Sequence, residues 1–108
     1  MGTIDEARRR VGTGADCLDL RGPEDWSHRI DLNLLDLDSD RWCVVGQVFA
    51  CSEYDDEAFA RGLESLDNPD PSHCGFDGVG PAFRAVLEDE WCRVILERRH
   101  ERPKAATS

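Results

Sequence analysis

The chain has 108 residues, 40% of them hydrophobic and 33% charged, and a net charge of −10. That length corresponds to a single domain, too apolar to be disordered throughout and without the run of about 18 apolar residues that a membrane-spanning helix needs. The opening MGTIDEARRR has arginines but no apolar stretch behind them, so no signal peptide is read and the cytoplasm is the expected compartment.

The charge is unevenly spread. Residues 1–10 carry +1 and residues 93–108 carry +3, so residues 11–92 carry −14, from nineteen acids against five arginines. An acidic body between mildly basic ends repels nucleic acid and membrane surfaces, and it attracts a basic protein partner. Acidity that merely keeps a small protein soluble is the simpler reading of the same numbers. Twelve arginines against the single Lys104 point to a GC-rich genome and say nothing of mechanism.

Taken in order, Thr3-Ile-Asp-Glu6 fits a capping box, with Thr3 as N-cap and Glu6 reaching back. Ile4, Ala7, Val11 and Leu18 follow at helical spacing, which predicts a helix from about residue 4 to 19. Gly12 and Gly14 weaken its middle by about 1 kcal/mol each relative to alanine, which leaves a break there open. Gly22-Pro23 ends that element and opens a short helix to Arg29.

Ile30 to Ala50 is the densest apolar block and must enter any core. Within it, Ser39 or Asp40 is the expected N-cap of a helix over residues 42–50, although the valines there also favour a strand. Ser52 caps the next helix, with Asp55, Asp56 and Glu57 in its first turn and Phe59, Leu63 and Leu66 on one side. Residues 67–80 form the longest loop. Gly80-Pro81 opens the last helix, striped by Phe83, Leu87, Trp91 and Val94, with Asp89 placed to pair with Arg93. Pro103 stops it before a disordered tail over 103–108. Trp42 and Trp91 are the expected core anchors, with Trp26 beside them. The reading is all-α: one helical domain over residues 1–102, with about four to five helices around one core.

Few motifs survive weighing. Asp36, Asp38 and Asp40 copy the first ligands of a calcium loop, but Arg41 stands where glycine is needed and Gln47 where glutamate is needed. Five cysteines without a CxxC pair leave a zinc site only to His73 and Cys74 together with Cys43 or Cys51, and reduced thiols acting as small hydrophobes are the simpler account. Cys74, beside His73 in the glycine-rich loop, is the one thiol placed to be exposed and reactive. No pair of carboxylates stands out for acid–base work, and no basic patch is interleaved with aromatics.

Residues 23–49, PEDWSHRIDLNLLDLDS followed by CVVGQVF, resemble a group of small proteins of actinobacteria and their bacteriophages. In that group a DWxxxIDLxxLDL-like stretch precedes C-V-x-G-Q-hydrophobic, and a Gly-Phe-Asp triplet, here Gly75-Phe76-Asp77, comes later. The resemblance covers about the middle half of the chain. It implies a source and assigns no activity or residue role.

The expectation is therefore a non-enzymatic acidic interaction protein that uses no cofactor and binds a basic or nucleic-acid-binding host protein. Its candidate surface is Asp36, Asp38, Asp40, Asp55, Asp56, Glu57 and Glu64, and DNA mimicry is its sharpest version. The alternative is a small metal-binding or thiol-dependent protein using His73 and Cys74.

Overall fold

In the computed structural model, which describes residues 3–77 and 80–101, the chain folds as four α-helices and one 3-10 turn, with no strand among the described residues. The all-α reading holds. The helices are α1 (Thr3–Arg21), α2 (Val44–Phe49), α3 (Ala58–Ser65) and α4 (Pro81–Glu101), and the 3-10 turn is Trp26–Arg29. The expected tail over 103–108 and its Pro103 stop lie outside the described residues.

The helix α1 runs unbroken through both glycines. Gly14 is buried because a loop backbone presses on it: a Cβ there would sit 2.1 Å from the Cys74 carbonyl oxygen. Glycine is thus the residue that lets loop and helix touch. Thr3 already lies inside α1, and Glu6 turns to Arg9 and Arg10 instead of completing a capping box.

α1 packs against α4, and α2 against α3. Arg8 meets Glu90 near the first half of α1, and Asp19 meets Arg98 near its end, so α1 and α4 run in the same direction. Asp19 also accepts the Trp26 indole N–H at 3.0 Å, fixing the 3-10 turn over the helix pair. Arg99 of α4 donates to the Ser27 carbonyl at 2.8 Å and to that of Ile30, holding the exit of that turn.

A single buried cluster takes Val11 and Leu18 from α1, Trp26, Val44, Val45 and Val48 from α2, Leu66 after α3, Phe76, and Leu87, Trp91 and Ile95 from α4. Trp91 is its centre. Its ring stacks on Phe76 at 5.8 Å and meets Trp26 edge-on at 6.2 Å, and its N–H donates to the Gly75 carbonyl at 2.7 Å. Trp42 is not an anchor. It lies half-buried outside the cluster with the Arg41 guanidinium over its ring at 4.0 Å. Because α2 starts only at Val44, Trp42 precedes the helix and cannot share its inward face.

Two caps differ from expectation for local reasons. Ser39 Oγ accepts the N–H groups of Arg41 and Trp42, closing the turn before α2. The N-cap of α2 is Cys43, whose sulfur accepts the Gly46 N–H at 3.2 Å. Asp55 is likewise drawn into the turn at 51–57, so α3 starts at Ala58 with Glu57 in the cap position and no side-chain cap. Asp67 and Asn68, both in the left-handed region, end α3 ahead of Pro69. Arg93 pairs with Glu90 and Glu97, one turn away on each side, and not with Asp89.

Residues 44–49 form a helix and not a strand, and one buried side chain ties it to the segment before it. Gln47 accepts the Asp31 N–H at 2.7 Å and donates to the carbonyls of Asp31 and Trp42 at 3.2 and 3.0 Å. That clamp ties the irregular segment 31–42 to α2 and satisfies backbone groups that burial would otherwise strand.

Candidate functional site

Charge is unevenly divided along the sequence. Between Asp36 and Asp77 the chain carries eleven acids against Arg41 and Arg61 alone, a net −9. The remainder, with twelve acids and eleven basic residues, is close to neutral. Its helices carry their own counterions: Glu6 with Arg9 and Arg10, Glu90 with Arg8 and Arg93, Asp16 and Asp19 with Arg98.

Inside the acidic half the seven candidate residues are not equivalent. Asp36 is exposed and its carboxylate accepts the Asp38 N–H at 3.0 Å, as in an Asx turn. Asp38 pairs with Arg84 of α4 at 3.5 Å, and Asp40 is exposed beside it. Asp55 faces inward: it binds the Arg61 guanidinium and accepts the Cys51 N–H at 2.9 Å and the Glu57 N–H at 3.2 Å. The bond from Arg61, helped by the Cys51 N–H, pulls the Asp55 carboxyl down to about 2. Asp55 is thus a structural ion pair and drops out of the candidate surface. Asp56 and Glu57 are exposed at the start of α3. Glu64 is also exposed but stands roughly 140° around the helix from Phe59, on another face.

Asp38 and Asp40 converge with a residue that sequence reasoning passed over. A cleft of about 140 Å³ is lined by Leu37, Asp38, Ser39, Asp40, Cys43, Phe59, Phe76 and Asp77. Three carboxylates border it, and Leu37, Phe59 and Phe76 supply apolar walls. Phe76 packs inward on Trp91, which leaves the next residue, Asp77, exposed beside the cleft. The one signal for Asp77 was its place in the Gly75-Phe76-Asp77 triplet. Ligand pockets for metabolites typically run from about 300 Å³ upward, so this cleft suits a single side chain.

The thiols are arranged unlike the expectation. Cys74 is buried, not exposed, and burial pushes its thiol up to about 11, with Cys17 and Asp70 adding to the rise. His73 next to it is exposed, so the two do not act on one target. Cys43 is likewise pushed up to about 11 by burial. The exposed thiol is Cys51, whose sulfur lies 3.5 Å from Arg61. Among the described residues no three of His, Cys, Asp and Glu converge as metal ligands, and no buried side-chain nitrogen or oxygen lacks a hydrogen-bond partner. No helix of the described residues is long and apolar enough to cross a membrane.

No protein-family model, curated protein or solved structure matches the chain.

Proposed function

We propose that the protein is a non-enzymatic interaction module, of actinobacterial or phage origin, that binds a basic protein through the half spanning Asp36 to Asp77. The observation that carries this reading is the charge division: −9 over that half beside a nearly neutral remainder, of whose arginines Arg84 and Arg21 reach across to Asp38 and Asp67. Acidity kept only for solubility has no reason to collect on one half. The core supports the same reading from the other side, because its thiols are buried and protonated at neutral pH and therefore poor nucleophiles. DNA mimicry is not part of the proposal. The uncompensated carboxylates sit on turns and at the start of a short helix, not at regular intervals along a rigid one.

The test is capture from an actinobacterial lysate at about 50 mM and about 500 mM salt, which spans a several-fold change in screening length. A basic protein retained at low salt and released at high salt is the expected result. Retention indifferent to salt would contradict an electrostatic interface.

A further inference from the structure

Resting on that reading, we infer that the cleft between Leu37 and Phe59 seats one arginine side chain of the basic partner, so that the acidic half selects arginine over lysine. In the cleft, apolar walls and carboxylates combine on the acidic half. Its volume, about 140 Å³, is close to that of a cavity able to hold a benzene-sized group, so it takes one side chain and not a folded element. Half-buried Phe59 offers apolar surface to an aliphatic stem, with the buried Leu37 and Phe76 behind it.

The head group that fits is planar and multivalent. Asp38 and Asp40 approach from the turn before α2, and Asp77 from the loop before α4. A guanidinium has five N–H donors in a fixed fork and can serve carboxylates on different sides, whereas an ammonium has three donors around a point. The guanidinium also stacks on aromatic rings more readily than an ammonium does, and half-buried Phe59 supplies a ring at the cleft wall. The fold already shows one such contact, where Arg84 reaches Asp38 at 3.5 Å. Asp40 and Asp77 have no ion pair among the described residues and are left for the incoming group.

The experiment compares arginine and lysine oligomers of equal length, binding to the full chain followed by fluorescence anisotropy. The cleft predicts that the arginine oligomer binds about threefold to tenfold more tightly than the lysine oligomer. In Asp40→Asn/Asp77→Asn, whose two positions are exposed and tolerant, that preference should fall to near one while both oligomers still bind the remaining acids. Phe59→Ala should reduce the preference as well, with its melting curve recorded to confirm folding. Equal binding of the two oligomers to the wild type would overturn the cleft inference and leave the acidic-interface reading standing. So would an arginine preference that survives the double substitution, because it would arise elsewhere. Binding of neither oligomer would overturn both.

Discussion

Gly14 and Cys74 meet through the backbone: a Cβ at position 14 would lie 2.1 Å from the Cys74 carbonyl oxygen and about 3 Å from the rings of Trp91 and Phe76. The contact joins α1 to the loop that carries Phe76 and Asp77, so the core and one wall of the cleft depend on the same glycine. Gly12, one half-turn earlier, faces open space, with nothing within 4 Å. The two positions should therefore respond in opposite directions to alanine. Gly12→Ala gains helix propensity and should stabilise by about 1 kcal/mol. Gly14→Ala gains the same propensity but overpacks, and a net loss of about 1–3 kcal/mol is expected. Denaturant unfolding of both variants checks the pair.

Tryptophan substitutions should separate core from surface. Trp91 is fully buried and contacts Trp26, Phe76 and the Gly75 carbonyl, so Trp91→Ala should cost about 3–5 kcal/mol. For a marginal small domain that is most of its stability. Trp42, half-buried under Arg41, should cost about 1–2 kcal/mol. Equal costs at the two positions would show that Trp42 is part of the core after all.

The helices were legible where periodicity ran long. The stripes over α1 and α4 extend through several turns, and the Gly-Pro pairs mark where Gly22 ends one and Gly80 opens the other. The short α2 was legible only as an ambiguity, because its valines read equally as strand and the Gln47 clamp that ties it to residues 31–42 is a tertiary contact. Trp42 was misplaced for a related reason: a helix over residues 42–50 takes it in as its first residue, and Ser39 instead closes a turn there. Asp36, Asp38 and Asp40 could be picked out by composition. Asp77 could not, since its neighbourhood is created by Gly75 and Phe76 folding back on α1 and Trp91. Nor could the inward turn of Asp55, which depends on Arg61 in the helix that follows.

Asp55 gives the fold an acid-sensitive contact. Its carboxyl is held down to about 2 when folded, chiefly by Arg61, against about 3.9 in an unfolded chain. A depressed folded value means stability that is fully present above about pH 4 and lost as pH falls towards 2. Melting temperatures of the wild type and Asp55→Asn should differ most above pH 4 and converge near pH 2. A gap that stays constant across that window would mean the pair contributes nothing that titrates.

Thiol labelling should rank the cysteines by burial. Cys51 is exposed, whereas Cys43 and Cys74 are buried and held protonated until about pH 11. Mass spectrometry after alkylation at pH 8 should find Cys51 modified first, with Cys43 and Cys74 protected until denaturant is added. Raised folded values also mean that stability declines as pH climbs through the unfolded thiol range, about 8.5, towards 11. Early modification of Cys74 would restore the reactive-thiol reading that its burial argues against.

The central claim is that position, not total charge, makes the acidic half a binding surface. Two variants separate these. One converts Asp36, Asp40, Asp56 and Glu57 to their amides, and the other converts Asp5, Glu24, Asp89 and Glu101, so both change the net charge of −10 equally. Capture of the basic partner from lysate at about 50 mM salt, where exposed charges are still weakly screened, should be lost in the first variant and kept in the second. Equal loss in both, or retention by the first, would contradict the account.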